Sequence, residues 1–173
     1  MKTSCTGKFG YMALKLDMST AYDRVEWIFL EKIHLKMGFQ NSWVSLIMEC
    51  ITTVTYSIMV NGEPQGMITP TRGLRQGDPL SPYLFLFCVE GLDAILRRAA
   101  NNGDINGFSL CKRGPKITHL FFADDCLLFC KATLAKCEKI KNILNTHEAT
   151  FDQMVNKDKT TLFFSRNTND ATQ

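Results

Sequence analysis

The chain has 173 residues, a mass of 19.6 kDa and a net charge of +3 at pH 7. Its 45% hydrophobic and 21% charged residues are ordinary globular values, which exclude a disordered tail, a collagen-like fibre and a coiled coil. The excess of basic residues is too small to be a nucleic-acid footprint by itself. The longest apolar run, residues 83–89, is far shorter than the ~20 residues that cross a bilayer, and the N-terminus has no apolar signal segment. We therefore expect a soluble, intracellular protein with no membrane partner.

The first predicted elements are a buried strand and a helix. Residues 11–17 form a short apolar run bounded by Gly10, which suits a buried strand. Thr20 can cap a following helix, which Gly38 would end. The apolar stripe of that helix is expected at Val25, Ile28, Phe29, Ile33 and Met37.

A second helix and a hairpin come next. We expect the helix over residues 41–51. Strands at 56–60 and 66–69 flank Asn61-Gly62, the strongest short hairpin signal. Residues 37–71 contain no Lys or Arg between them, and we interpret this stretch as packed interior.

The second half of the chain predicts a long helix, several strands and one further helix. Ser81 as cap and Pro82 at the first helical position start the long helix, which ends at 101–103. Strands are expected at 105–110, 117–122, 126–130 and 161–165. A helix with one face formed by Cys137, Ile140, Leu144 and His147 precedes the last strand. Interspersed strands and helices with an antiparallel hairpin indicate the α+β class. We interpret the seven cysteines, which form no Cys-x-x-Cys pair, as small buried hydrophobic residues.

Three carboxylates are the first candidates for chemistry. Asp17 ends an apolar strand, and Asp124 and Asp125 separate two apolar runs that we expect to be buried on both faces in the middle of a sheet. Three carboxylates at the ends of central strands repel one another unless a cation compensates them, and oxygen ligands favour Mg²⁺. The pattern alone leaves two interpretations open, a metal site or turn acids satisfied by backbone amides.

The segment Leu16-Asp17-Met18-Ser19-Thr20 faintly resembles the nucleophile motif of haloacid-dehalogenase-type phosphatases. Ser19 stands where that motif has its second acid. A metal-dependent phosphatase is therefore kept as an alternative enzyme class.

Four blocks in order carry a more extensive resemblance. They are residues 16–27, the Arg-Gln-Gly-Asp-Pro-Leu-Ser-Pro loop at 75–82, Phe-Ala-Asp-Asp at 122–125 and Asn-Lys-Asp-Lys-Thr at 156–160. With these blocks the chain resembles reverse transcriptases, and among them the non-long-terminal-repeat (LINE-type) retrotransposon enzymes, most of all those of plants. The resemblance covers nearly the whole chain.

Three departures from the family pattern accompany this resemblance. The family commonly has Lys at the position of Thr20, Ser at that of Cys126 and Ser-Gly-Gln at 151–153. These departures remove no expected metal ligand, but they fit a copy that is drifting from function.

The resemblance implies a polymerase palm: an antiparallel sheet with helices packed on one face. Residues 1–173 would form one partial reverse transcriptase domain, without the N-terminal part of the fingers and without the thumb. The expected partners are an RNA template, a DNA primer and deoxynucleoside triphosphates, and the expected compartment is the nucleus. A non-catalytic retrotransposon remnant that binds nucleic acid weakly stays open beside an enzyme.

The resemblance also implies two-metal nucleotidyl transfer to a primer 3′-hydroxyl with Mg²⁺, or alternatively Mn²⁺. Asp17 and Asp124 would bridge two metal ions, and Asp125 would take a weaker or indirect part. The backbone carbonyl of Met18 could supply a further ligand. Lys159 would be a general acid for the departing pyrophosphate, with a solvated surface lysine as the alternative.

The remaining implied roles concern the incoming nucleotide. Tyr22 would pack beneath the sugar and leave no room for a 2′-hydroxyl, or else would be an aromatic packed on the core. Arg75, Gln76 and Gly77 would lie against nucleotide and template, Gly77 because it permits a close backbone approach. The alternative for these three is a plain turn before a capped helix.

Overall fold

The computed structural model describes residues 10–19, 21–111, 113–122 and 125–168. Its elements in chain order are β1 (Tyr11–Ser19), α1 (Trp27–Lys36), α2 (Asn41–Thr52), β2 (Tyr56–Val60), β3 (Glu63–Ile68), α3 (Ser81–Asn101), β4 (His119–Phe122), β5 (Asp125–Lys131), α4 (Leu134–Phe151), β6 (Met154–Val155) and β7 (Thr161–Phe164). They divide into a hairpin unit, Thr20–Cys88, and a sheet unit, Met1–Ser19 with Val89–Gln173. No helix within the described ranges is long and apolar enough to span a membrane.

The sheet unit is built on an antiparallel sheet with β1 at its centre. The strand order is β4-β5-β1-β6, and β7 also pairs with β1. β1 pairs with the whole length of β5, from Tyr11 opposite Lys131 to Asp17 opposite Asp125. Because side chains alternate along a strand, this register assigns each residue of the two central strands to one of two faces.

One face of the sheet is the core, and helices pack on it. Its buried side chains from the central strands are Met12, Leu16, Met18, Cys126, Leu128 and Cys130. Cys137 of α4 contacts Met12 on this face, with 3.5 Å between the sulfur atoms. Asp93 of α3 binds His119 of β4, with 2.7 Å between Oδ1 and Nε2. The expected α+β fold, an antiparallel sheet with helices on one face, is therefore confirmed.

The opposite face of the sheet is largely open, against the expectation that both strands of the second hairpin are buried on two sides. β4 is an edge strand, and its Phe122 side chain is 83% exposed. Along β5 buried and half-buried residues alternate. The apolar runs around Asp124-Asp125 therefore bury one face and leave the other partly exposed. The expectation failed because hydrophobicity alone does not say what covers a strand.

In the hairpin unit, the predicted start and stripe of the first helix are wrong. α1 begins at Trp27 after a turn at 21–24, and Thr20 lies outside the described residues. The buried residues of α1 are Leu30 and His34, whereas Ile28 of the predicted stripe is 63% exposed. The His34 ring packs against Phe39 and Phe87, with 4.2 Å between the His34 and Phe87 ring centroids. This aromatic cluster turns a different side of the helix inward.

The second helix and the first hairpin are confirmed as elements, but not as packed interior. Only Val44 and Ile47 of α2 are buried, and every residue of β2 and β3 is exposed. Asn61 and Gly62 both adopt positive φ, 51° and 86°, as a two-residue type I′ turn requires. The lack of Lys and Arg at 37–71 therefore marks an exposed surface without basic side chains.

Three further features of the structure differ from the predictions made from the sequence. The strand at 105–110 is reduced to one isolated bridge between Phe108 and Ile117. The short strand β6 was not predicted. Cys50 and Cys111 are exposed, although Cys88, Cys126 and Cys130 are buried as expected.

Candidate active site

Two of the three expected carboxylates face each other across the central strands. Asp17 and Asp125 are direct partners in the antiparallel pairing of β1 with β5, so both side chains lie on the open face of the sheet. Directly opposed residues in such a pair have Cβ atoms about 4.5–5.5 Å apart. Asp124, the second of the expected bridging ligands, lies outside the described residues. The open face therefore holds two adjacent carboxylates, which repel one another unless a cation intervenes.

Lys15 supplies part of the compensating charge. It lies two residues before Asp17 in β1, on the same face, and its Nζ is 2.9 Å from Asp125 Oδ2. Both side chains are substantially exposed, so this ion pair is weak in water. One ammonium group against two carboxylates leaves a net negative patch, which suits a further cation.

The donor chemistry of this patch fits a hard divalent ion. Among the described residues no three His, Cys, Asp or Glu side chains form a metal-binding cluster. Asp17 and Asp125 offer oxygen donors only, the kind that Mg²⁺ and Mn²⁺ prefer. Met18, the expected carbonyl ligand, lies next to Asp17 in β1 opposite Val155. The residues present are thus compatible with a metal site that a third acid would complete.

Cys126 follows Asp125 and is not a candidate ligand. Its side chain is buried on the core face of β5. Burial raises the pKa of the Cys126 thiol to about 12, and the neighbouring charge of Asp125 adds to the effect. The thiol is therefore neutral at physiological pH, and metals bind the thiolate form.

The segment with Lys159 is anchored to the strand that carries Asp17. The Asn156 backbone N–H donates to the Asp17 carbonyl at 2.8 Å. The Asn156 side chain accepts from the backbone N–H groups of Asp158 and Lys159, at 3.2 and 3.3 Å. Lys159 itself is exposed, so its predicted role and its surface alternative both stay open.

Asn156 is a residue whose role the sequence analysis missed. Asn side chains often accept a hydrogen bond from the backbone N–H two residues later in the chain. An Asn at the start of the run Asn-Lys-Asp-Lys was therefore a sequence signal for this turn. The backbone bond to Asp17 joins residues far apart in sequence and left no local signal.

In the hairpin unit, Tyr22 is held by a stacked aromatic ring. Its ring lies 4.8 Å from that of Phe85, centroid to centroid, with 15° between the planes. Phe85 is buried, and Tyr22 is half-buried in the turn at 21–24. This contact agrees with the alternative interpretation, in which Tyr22 is an aromatic packed on the core. The same contact also fixes one face of the Tyr22 ring and leaves part of the ring accessible.

Arg75, Gln76 and Gly77 form an exposed loop before α3. Gly77 has a φ of +85°, and nothing lies within 4 Å of where a Cβ would be. The glycine is therefore needed for its backbone conformation. Asp78 ends the loop, and its carboxylate accepts from the Leu80 N–H at 2.8 Å at the start of the helix.

A cavity of about 720 Å³ lies beside this loop within the hairpin unit. Its walls combine aromatic and charged side chains. They include Trp27, Tyr56, Arg72, Arg75 and Asp78. Trp27, to which the sequence analysis gave no role, donates its indole N–H to the Gly73 carbonyl at 2.7 Å.

Comparison with protein families gives one match that spans almost the whole chain. Residues 5–170 match the sequence model of the family described as reverse transcriptase (RNA-dependent DNA polymerase). The match includes all four blocks of the sequence resemblance.

Curated relatives include Pol polyproteins of the type-1 retrotransposable element R2. The one from Popillia japonica is 34% identical over 118 residues, which are 68% of this chain and 18% of the relative. The one from Nasonia vitripennis is 38% identical over 124 residues, 68% of this chain and 11% of the relative. An uncharacterised mitochondrial protein of Arabidopsis thaliana is 55% identical over 67 residues, 39% of this chain and 55% of that protein. The chain thus spans less than a fifth of the R2 relatives it matches.

Solved structures with a similar fold include yeast telomerases. The apo telomerase of Candida tropicalis, truncated from its C-terminal domain, has a TM-score of 0.69 at 17% identity, covering 95% of this chain and 32% of that one. The telomerase of Candida albicans has a TM-score of 0.64 at 19% identity, covering 92% of this chain and 27% of that one. At these identities the likeness is one of fold.

Proposed function

Because this chain belongs to the reverse transcriptase (RNA-dependent DNA polymerase) family, we propose that it is the palm part of an RNA-directed DNA polymerase that transfers deoxynucleotides to a primer 3′-hydroxyl. The observation that carries the proposal is the direct pairing of Asp17 with Asp125 on the open face of the sheet. In this view residues 1–173 are one partial domain. The family membership leaves the phosphatase alternative without support.

The proposed ligands of two Mg²⁺ ions are Asp17, Asp124, Asp125 and the carbonyl of Met18. Divalent ions in such a site lower the pKa of an attacking hydroxyl and neutralise a triphosphate. The pairing of β1 with β5 places Asp17 and Asp125 directly opposite each other, so both carboxylates are available to a cation on one face of the sheet. Lys15 limits the net charge of the patch while no cation is bound.

The remaining proposed roles belong to residues that touch the nucleotide. Tyr22 excludes a 2′-hydroxyl by a clash, supported by the ring stacking that leaves it little freedom to move away. Arg75, Gln76 and Gly77 present an exposed, basic and polar loop to nucleotide and template. Lys159 protonates the departing pyrophosphate from a loop that Asn156 ties to Asp17.

The proposed substrates are an RNA template, a DNA primer and deoxynucleoside triphosphates, and the proposed compartment is the nucleus. No membrane partner is proposed. The proposed substrates follow from the family, whose members by its description polymerise DNA on RNA. The proposed compartment rests only on the resemblance to retrotransposon enzymes.

The test is the binding of Mn²⁺, a paramagnetic substitute for Mg²⁺, followed by electron paramagnetic resonance of the purified chain. Asp17→Asn and Asp124→Asn should each weaken binding by about tenfold or more, because loss of even an outer-shell partner of a metal ligand typically costs 10–100-fold in affinity. Glu138→Gln, an exposed acid on α4, is the matched control and should bind as the unchanged chain does. Equal binding by all four proteins would refute the proposed metal site.

A further inference from the structure

The loop that carries Arg75 is pinned at its base by Trp27. Both backbone polar groups of Gly73 are engaged: its N–H donates to the Val25 carbonyl at 2.8 Å, and its carbonyl accepts from the Trp27 indole N–H at 2.7 Å. Arg72, one residue earlier, forms an ion pair with Glu26, one residue before Trp27, at 3.2 Å. Two segments nearly fifty residues apart are therefore joined at one point.

Gly73 is required at this point for two independent reasons. Its φ is +93°, which disfavours any residue with a side chain. A Cβ would also lie 3.0 Å from the carbonyl oxygen of Asp23 and 3.2 Å from its Cα, both backbone atoms. The close approach of the backbone at Gly73 to the backbone at Asp23 therefore requires glycine at position 73.

The same junction reaches Tyr22 directly. Leu74, which is buried, donates its N–H to the Tyr22 carbonyl at 2.8 Å. The Tyr22 ring in turn stacks on Phe85 of α3, the helix that follows the loop. The turn with Tyr22 and the loop with Arg75 therefore share one hydrogen-bonded base, and neither can shift without breaking backbone bonds.

We propose that Trp27 is a positioning residue that holds the 73–77 loop and Tyr22 in fixed register, and so sets how this chain selects a deoxynucleoside triphosphate by its sugar. The inference rests on the proposed function, because it assigns the support of the same nucleotide site. Trp27 acts through its N–H bond to Gly73 and not by touching the nucleotide. Without that bond the two backbone bonds still join the loop to residues 22–25, but the indole no longer supports them, so the distance between the loop and Tyr22 varies more.

The test uses the chain's two tryptophans as a matched pair. Trp27→Phe keeps an aromatic ring and removes the N–H donor, whereas Trp43→Phe makes the same change on α2, where Trp43 is half exposed. Dissociation constants for dATP and ATP with Mg²⁺ are measured from amide shifts in NMR titrations. Urea unfolding of each variant checks that it is folded.

Trp27→Phe should weaken dATP binding about twofold to tenfold, at most the net value of one hydrogen bond, because binding must then order a loop that the indole no longer supports. Its preference for dATP over ATP should fall towards that of Tyr22→Ala, which removes the clash itself. Trp43→Phe should match the unchanged chain in both respects. A general structural role would lower both affinities equally and leave the preference unchanged, and that result would overturn the inference.

The role of Trp27 and the proposed nucleotide site can be refuted separately. Triphosphate binding by the unchanged chain, with identical sugar preference in the two Phe variants, overturns the role of Trp27 and leaves the proposed function standing. Failure of the unchanged chain to bind dATP at millimolar concentration overturns the nucleotide site together with this inference.

A measurement on the unchanged chain covers the case in which Trp27→Phe does not fold. Bound dATP should slow hydrogen exchange at the Gly73 and Leu74 amides more than ATP does, because only a sugar that fits beneath Tyr22 stabilises the junction. Equal exchange with the two nucleotides would overturn the inference.

Discussion

The open face of the sheet places one lysine beside two carboxylates, and Lys15 therefore competes with any metal ion for Asp125. Its Nζ lies 2.9 Å from Asp125 Oδ2, on the same carboxylate that would bind a divalent cation. Asp17, directly opposite Asp125, adds the second negative charge. An ammonium group that is partly exposed can leave at little cost, so it can balance charge in the absence of metal and yield when metal binds.

We predict that Lys15→Gln has opposite effects on stability and on metal affinity. In EDTA the free energy of unfolding should fall by about 0.2–1 kcal/mol, the usual value of an exposed ion pair. Affinity for Mn²⁺ should rise a few-fold, because one competing cation is gone. Urea unfolding and paramagnetic resonance measure the two effects. Lys139→Gln, which breaks the pair of Lys139 with Asp104 elsewhere in the sheet unit, is the control and should leave metal affinity unchanged.

His147 is a second residue whose environment fixes its protonation. It is buried on α4, packs against Phe151 in a tilted arrangement with 4.9 Å between ring centroids, and its Nδ1 has no hydrogen-bond partner within the described structure. Burial lowers the pKa of His147 to about 4, although the charge of Glu148 opposes the effect. The folded chain therefore keeps the ring neutral down to a pH at which the unfolded chain has already bound a proton.

We predict that His147→Leu stabilises the chain most in mild acid. The unfolded state binds its proton as pH falls through 6.5, whereas the folded state binds it only near 4, so the contribution of neutral His147 is lost across that window. The difference between the two pKa values corresponds to about 3 kcal/mol of unfolding free energy. Between pH 7.5 and 4 the stability of the variant relative to the unchanged chain should therefore rise by that amount. Urea unfolding across this pH range measures it. Parallel pH curves for the two proteins would show that the ring is not held neutral.

At the scale of elements, the β2–β3 hairpin is exposed along both strands and depends on its turn. Gly62 occupies a left-handed conformation at φ 86° that costs other residues about 1–2 kcal/mol. We predict that Gly62→Ala opens the hairpin locally and leaves the global unfolding midpoint almost unchanged, because no residue of either strand is buried. Hydrogen exchange at β2 and β3 amides reports the opening. Asn61→Gly, at φ 51°, is the matched control that should keep the hairpin closed, and a large fall in midpoint for Gly62→Ala would contradict the prediction.

Elements with a strong local signal were predictable from the sequence. The apolar run of β1, the Asn61-Gly62 turn and the Ser81-Pro82 start of α3 each rest on a few adjacent residues, and the structure has all three. The sequence placed Asp17 and Asp125 each beside an apolar run but did not predict that they pair directly, and the role of the pair stays a proposal.

Features set by distant contacts were not predictable. The start of α1 at Trp27 follows from the bonds of Tyr22 and Val25 to the loop at 73–74, about fifty residues away. The buried side of the same helix is decided by Phe87 against His34. The prediction of burial was wrong for a related reason. An apolar strand has the same sequence pattern whether its outer face is covered or open, as β4 shows.

At the scale of the whole molecule, each of the two units exposes large apolar side chains among the described residues. In the hairpin unit Trp43 and Leu46 of α2 are about half exposed, and in the sheet unit Leu120, Phe122 and Phe163 are half exposed or more. Exposed apolar side chains that cluster into a large patch promote association. Because residues 37–71 contain no Lys or Arg, no like positive charge opposes association through α2 and the hairpin.

We predict that polar substitutions on α2 reduce self-association without loss of stability. Trp43→Gln combined with Leu46→Gln should shift the chain towards monomer in analytical ultracentrifugation and leave the unfolding midpoint nearly unchanged, since surface substitutions usually change stability by at most about 0.5 kcal/mol. Val44→Gln, on the buried side of the same helix, is the contrast and should destabilise the chain. Unchanged self-association in the double variant would show that α2 is not the surface through which the chain associates.

The last prediction is that this chain alone polymerises poorly or not at all. Two-metal chemistry needs primer, template and triphosphate held in near-attack geometry, a positioning term of about 7–11 kcal/mol. The chain spans 18% of one R2 relative, and its net charge of +3 gives few of the phosphate contacts that hold nucleic acid non-specifically. Primer extension by the purified chain with Mg²⁺ or Mn²⁺, beside an Asp124→Asn control, measures this. Robust extension by the unchanged chain and none by the control would show that these 173 residues position all three substrates themselves.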